Sequence, residues 1–370
     1  MPVLPGEITD MIIDGLQDSP VSLKHCSLVC KSWFPRASLH LFRSFRVSIH
    51  IRHGAQVHRR STLPTFCKLL ASSVRVIANV RQLNLNLSDW AVEDVASIIP
   101  HLTRLRRLNV MDTDIGAPET TLPCTGRHLE HLQFDDTQLT LVSYFLGLFE
   151  SVGTLELSNF TGGEGPLPSR AFHVEHLDIS HLLAGTLSEL TQLLEVLTLK
   201  SVKIGLESTG TPVLSEDVDK FVRAVGAHII HLEIDMGYSI QSAVADLPAM
   251  QACKRLESFT IATPTAIRFK LAGWHGAVFF LRHLPPQTCA VRLITNFSFE
   301  TEQAASDTFR ALDWRAVGDT LAERCPDLES LQLPVIKDDF GPVTLRVDSE
   351  VQQAIRAELP VRLRNITVFE

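Results

Sequence analysis

The sequence predicts an α/β chain: a small three-helix head followed by a curved solenoid, with short parallel strands inside and helices outside. Three observations predict it. An apolar triplet of the form h-x-x-h-x-h recurs about eleven times beyond residue 79. Helix-like segments fill several intervals between triplets. The first forty-odd residues carry their own helix-start signals, and more apolar side chains than so short a unit encloses by itself.

In the head, Ile8, Ile12 and Leu16 recur every four residues, which places them on one side of a helix. Pro5 suits a helix start because it has no amide proton to leave unpaired, and Glu7 favours the positive N-terminal end. Met11 and Ile13 widen the apolar coverage beyond one stripe. Ser19 is placed as an N-cap with Pro20 at the first helical position, opening a helix that carries Leu23, Cys26, Leu28, Val29, Cys30 and Trp33. Phe34-Pro35 interrupts it, and a third helix with Leu39, Leu41 and Phe42 closes the unit near Arg43. Some of these side chains therefore pack against the rest of the chain or against another protein.

Leu4-Pro5-Gly6-Glu7-Ile8, followed by the run Cys26–Trp33 (C-S-L-V-C-K-S-W), resembles an F-box over roughly residues 3–45, in the form common in fungal proteins. That resemblance implies three helices that dock on a Skp-type adaptor and through it join a cullin–RING ubiquitin ligase. It implies adaptor-facing and supporting contacts from Leu4, Pro5, Ile8, Ile12, Leu16, Leu23, Val29, Cys30 and Trp33. Phe42 stands where many members carry tryptophan. Without the resemblance, the same helices read as an N-terminal cap whose apolar side chains are ordinary core.

The body follows a connector and first repeat at 46–79, with Phe45-Val47 as a candidate first strand. Triplets run from Val80-Leu83-Leu85, through Leu105-Leu108-Val110, Leu129-Leu132-Phe134, Val152-Leu155-Leu157 and Val174-Leu177-Ile179, to Leu194-Leu197-Leu199. They continue as Ile229-Leu232-Ile234, Leu256-Phe259-Ile261, a degenerate Val291-Leu293, Leu328-Leu331-Leu333 and Leu363-Ile366-Val368. Central intervals are 25, 24, 23, 22 and 20 residues, then 35 and 27. Alternation means a strand with one face buried. Helix-like patterns lie at Asp89–Ile99, Leu187–Leu194, Glu216–Val225, Asp307–Arg324 and Ser349–Glu358. A doubly wound sheet would need continuously apolar strands, which these are not. Residues 80–370 thus resemble a leucine-rich-repeat solenoid, a period of ~20–29 residues being its mark.

The same alternation turns a second set outward, onto the concave face: His131, Gln133, Asp135, Glu156, Ser158, His176, Asp178, Ser180, His231, Glu233 and Asp235. Of these, His131, Gln133, Asp135, Glu156, His176, Asp178, Glu233 and Asp235 are the candidate substrate contacts, with Arg107 and Lys200 as basic exceptions. Acid and histidine suit a basic or polar protein partner; a solvated sheet face without a ligand is the alternative. The face lacks the arginine cluster of phosphate recognition.

Other chemistries find little support. A net charge of −8 combines a basic first sixty residues with an acidic remainder, which argues against coating nucleic acid. Arg43, Arg46, Arg52, Arg59 and Arg60, with His50, His53 and His58, read as a solvated connector. The pairs His128/His131, His173/His176 and His228/His231 sit at one repeat register, and residues three apart on a strand point to opposite sides, so no shared metal is expected. Cys26 and Cys30 fit core packing better than a metal site, and Thr161–Pro166 is a turn without the Lys-Ser/Thr of a phosphate loop. No nucleophile motif is present, so neither catalysis nor a cofactor is expected.

Seven scattered cysteines suit a reducing compartment. With no basic leader and no apolar run of the ~18 residues a membrane span requires, the expectation is a cytoplasmic or nuclear chain without membrane contact. Its sequons at Asn86, Asn159, Asn296 and Asn365 would then stay unused. Taken with the resemblance, the expected role is the non-catalytic substrate-recognition subunit of an SCF-type ubiquitin ligase. The alternative is a leucine-rich-repeat interaction scaffold that builds no ligase.

Overall fold

The computed structural model describes residues 5–47, 63–86, 97–111, 124–162, 171–181, 186–206, 215–236, 247–266, 278–298, 309–337, 343–344 and 347–369. Leu4, the basic residues between His50 and Arg60, most of Asp89–Ile99 and Gly163–Pro166 lie outside them. The chain divides into two compact units, Met1–Gly153 and Thr154–Glu370.

The first unit opens with α1 (Gly6–Asp14), α2 (Pro20–Val29) and α3 (Phe34–Leu41). Ser19 occupies the N-cap position before Pro20, but its hydroxyl bonds Ser22 Oγ at 2.8 Å and caps no backbone amide. α2 stops four residues earlier than the sequence suggested. Cys30 is extended, and Pro35 restarts a helix in whose first turn a missing amide costs nothing. Ile13, Leu23, Cys26 and Ala37 form the head's core, with Leu16, Trp33 and Leu41 packed on it. Of the two cysteines read as core packing, Cys26 is a core residue, whereas Cys30, just past the end of α2, is exposed.

Two residues separate α3 from β1 (Ser44–Val47), which pairs in parallel with β2 (Gln82–Asn86). β3 (Arg107–Met111) and β4 (His128–Asp135) follow in parallel register, Leu83 beside Leu108 and Leu108 beside Leu132. The stretch read as a connector holds α4 (Leu63–Ser72) and α5 (Val74–Asn79), the latter capped by Ser73. Phe45 joins these pieces, its ring 6.0 Å from Phe42 and 5.1 Å from Phe66. A helix at Leu139–Gly147 carried no two-sided pattern, because Leu139, Leu141, Val142, Phe145 and Leu146 are all buried. Phe145 meets Phe134 of β4 at 5.8 Å, so this helix covers the apolar side of its strand.

The boundary between units falls inside β5 (Ser151–Ser158). In the second unit come β6 (His173–Ser180), β7 (Ser201–Gly205), β8 (His231–Asp235), β9 (Ser258–Ala266), β10 (Ala290–Ser298) and β11 (Ser330–Gln332). They are neighbours in that order, and β14 (Thr367–Val368) pairs with β11. β12 (Val335–Lys337) extends alongside β10, and β13 (Val343–Thr344) pairs with it antiparallel. Helices occur at Thr186–Leu193, Ser215–Val225, Trp314–Arg324 and Ser349–Glu358, close to the predicted segments. Parallel strands in sequence order, each with its apolar alternation buried, resemble a leucine-rich-repeat solenoid.

Two triplets are corrected. At Leu194-Leu197-Leu199 the chain forms a 3-10 turn, Val196–Thr198, and Leu197 is 64% exposed. The strand triplet is Leu199-Val202-Ile204, with Val202 beside Leu177 and Leu232. The intervals then become 25 and 30 residues, which removes the apparent break in the repeat. At the C-terminus Leu363 is taken up by a short helix, Val361–Arg364. Thr367, not Val368, turns inward beside Leu331, its hydroxyl satisfied by Leu363 O at 2.6 Å. The degenerate copy is completed by buried Thr288 ahead of Val291 and Leu293.

One turn recurs with the strands. Asp136, Asn159 and His181, each just past the end of β4, β5 or β6, have φ of 55°, 51° and 53°. Asp and Asn enter this left-handed region at lower cost than most side chains. No helix among the described residues is long and apolar enough to cross a membrane.

Candidate functional site: an apolar head face and a polar sheet face

α1 and α3 are tied together by Asp14. Arg36 Nε donates to Asp14 Oδ1 at 2.6 Å, Arg36 Nη2 bonds Oδ2, and His40 Nε2 lies 2.8 Å from Oδ1. Hydrogen bonds from Arg36 and then His40 hold the Asp14 carboxyl well below the usual carboxylate range. With α1 fixed in this orientation, Ile13 points into the core and its neighbours point away. Ile8 and Ile12 are each 46% exposed, and Met11 is 72% exposed. On α2, Val21, Leu28 and Val29 are exposed as well.

The residues expected to meet an adaptor therefore separate into two groups. Pro5, Ile8, Ile12, Val29 and Cys30 lie on the surface. Leu23 is 1% exposed, which puts it among the supporting residues and not the adaptor-facing ones: it holds α2 to the core. Leu16 and Trp33 are partly buried against the same core. Cys30 shares a 3.0 Å hydrogen bond with Ser32 Oγ. That bond and the nearby Trp33 and Ser32 amides lower its thiol from the ordinary value.

The sheet's outward rows differ between units. In the first, the row between the buried positions is amide-rich: Asn109 Nδ2 donates to Asn84 Oδ1 at 2.9 Å, and Gln133 follows in register. Arg107 lies in the adjacent row, beside Gln82 and His131. His128 is exposed and bonded to Ser151 Oγ at 2.9 Å, whereas His131 lies in register with Arg107. His173 faces Glu195 at 3.7 Å. Among the described residues no group of three or more His, Cys, Asp or Glu could hold a metal ion.

In the second unit the corresponding row is charged: Glu156, Asp178, Lys203, Glu233, then Thr260. Lys203, and Arg292 beyond Thr260, are the basic residues of this row. Lys200, the exception expected from sequence, stands one residue ahead of β7 and pairs with Glu175 at 3.1 Å. Lys203 Nζ lies 3.3 Å from Asp178 and 3.7 Å from Glu233, a bridge across three strands. Burial opposes its charge, but Asp178, Glu233 and Asp235 outweigh that and raise its pKa. Glu233 is pushed up too, first by burial; Lys203 and Arg292 act against that rise, and Asp178 and Asp235 add to it. The row sets three carboxylates, Glu156, Asp178 and Glu233, against two cations, Lys203 and Arg292. Around it opens a recess of about 240 Å³, lined also by Thr154, His176, Ser201, His231 and Ser258. Lys203 was legible in principle, since Leu199-Val202-Ile204 also fits the triplet and gives the steadier interval.

No protein-family model matches the chain, and no curated protein does. Among solved structures, the leucine-rich repeat-containing protein LegL7 from Legionella pneumophila is similar, at 11% identity and a TM-score of 0.43. The match covers 85% of this chain and 97% of that one. The repeat fold itself rests on the strand register and the buried triplets.

Proposed function

We propose that this chain is the substrate-recognition subunit of an SCF-type cullin–RING ubiquitin ligase. The head takes a Skp-type adaptor, and the repeats hold a protein substrate. No bond chemistry is assigned to the chain itself; its contribution is proximity, which raises the effective concentration of substrate lysines near the ubiquitin-charged enzyme. The observation that carries the reading is the apolar surface the head leaves uncovered: Ile8, Met11, Ile12, Leu28 and Val29 remain exposed after Ile13, Leu23 and Ala37 have formed its core. Together with the F-box-like sequence, this supports a partner that covers the face.

The test is capture of a recombinant Skp-type adaptor by the full chain. Ile8→Asp with Ile12→Asp is expected to reduce capture at least tenfold while the melting temperature stays within about 2 °C, both sites being half-exposed. Trp33 is a poor probe because it supports the core. Undiminished capture by a double variant that still melts normally overturns the head assignment. Adaptor capture without ubiquitin transfer to a bound partner overturns the ligase role and leaves an interaction scaffold.

A further inference from the structure

The outward face of the second unit invites a more specific question: what chemistry does it accept? Its recess spans neighbouring strands, β5 to β9, and its lining alternates hydroxyl and imidazole groups in one row with charges in the next. The acidity is local. The same row in the first unit carries Asn84, Asn109 and Gln133. Moreover, the row already holds a cation, for the Lys203 ammonium sits between two carboxylates on a flexible stem.

We propose that this recess receives an arginine or lysine side chain from an extended segment of a partner protein, which displaces the Lys203 ammonium from between Asp178 and Glu233. This rests on the substrate-binding role proposed for the repeats and names its substrate class: a basic segment, with Lys203 as the built-in competitor. Charge complementarity carries the choice of occupant. Glu156, Asp178, Glu233 and Asp235 outnumber the two cations Lys203 and Arg292, so an incoming guanidinium finds paired acceptors around Asp178 and Glu233, whereas an acidic segment meets repulsion on both sides of Lys203. The sequence register that put Lys200 on this face would have hidden the competitor. Strand β7 sets Lys203 there through its pairing with Asp178 and Glu233.

The test uses the full chain and a labelled nine-residue peptide of alternating arginine and serine at about 0.15 M salt, where the Debye length is about 8 Å and distant charges are screened. The same peptide with citrulline, and with glutamate, in place of arginine serve as comparisons. Asp178→Asn with Glu233→Gln is expected to weaken arginine-peptide binding at least tenfold. Lys203→Met is expected to tighten it about threefold, the sign that separates a competitor from a contact. Glu323→Gln with Glu358→Gln removes the same charge from exposed sites elsewhere and is expected to change binding less than twofold. Should the Asp178/Glu233 variant fail to fold, Glu156→Gln alone is expected to cost three- to fivefold. Equal binding of the citrulline or glutamate peptide, equal loss in the control variant, or weaker binding by Lys203→Met overturns the proposal. Adaptor capture by the head is read separately: if it persists while peptide binding fails, only this inference falls. If it fails while the arginine peptide binds, the ligase role falls and the surface stands.

Discussion

Replacing Leu199 and Leu197 separately by alanine decides which strand register the seventh repeat adopts. The two leucines are two residues apart, and an alternating strand would bury both equally. In the structure Leu199 is fully buried as the first position of its triplet, whereas Leu197 is 64% exposed on a 3-10 turn. A Leu→Ala change in a packed core costs about 2.7–5 kcal/mol, transfer and cavity terms together. At the exposed site the cost is within about 0.5 kcal/mol. For a unit of about 150–250 residues each kcal/mol moves the melting temperature by about 2–4 °C. Leu199→Ala is therefore expected to lower the transition of the second unit by about 5–20 °C, and Leu197→Ala by about 2 °C or less. Thermal denaturation followed by circular dichroism or calorimetry resolves that difference. Equal losses, or a larger loss at Leu197, would refute the register, and with it the placement of Lys203 on the outward face.

Two other outcomes follow from local electrostatics. Burial pushes the Cys253 thiol up to about 12 and Cys325 to about 11, whereas exposed Cys30 is lowered by its Ser32 hydrogen bond. Mass-spectrometric mapping of brief alkylation at pH 7.5 should label Cys30 in the folded chain, and Cys253 and Cys325 only after denaturation; early labelling of Cys253 would contradict its burial. Asp14 has a depressed folded pKa, so its contribution is present above the unfolded carboxylate value, about 4, and is lost as pH falls through the folded one. Asp14→Asn should thus speed hydrogen exchange of α1 and α3 peptides at pH 7, with the gap to wild type narrowing toward pH 3. A gap independent of pH would mean the carboxylate does not carry the link.

Repeats were legible because each copy buries the same three positions, and a period-two pattern within a longer period survives wide variation in the intervening segments. The head's helices were legible from Pro5, Pro20 and Pro35 and from the four-residue spacing of Ile8, Ile12 and Leu16. Segments apolar on every side, such as Leu139–Gly147, gave no periodicity to read. His128, His131, His173 and His176 all lie at unburied strand positions, each just ahead of a buried residue, whereas His228 stands in the turn before β8.

By itself, then, the sequence determined the class of fold and most buried positions of the strands, because apolar alternation is a local consequence of strand geometry. It also marked the head as having more apolar surface than its size can enclose. Tertiary structure decided what local patterns leave degenerate: whether Leu194 or Leu199 begins a triplet, whether Thr367 or Val368 turns inward, and which side chains of α1 and α2 the head's core leaves outside. A one-residue shift of register exchanges inside for outside, and two overlapping triplets are equally apolar. Only pairing with the neighbouring strands distinguishes them, and that pairing is what put Lys203 between Asp178 and Glu233.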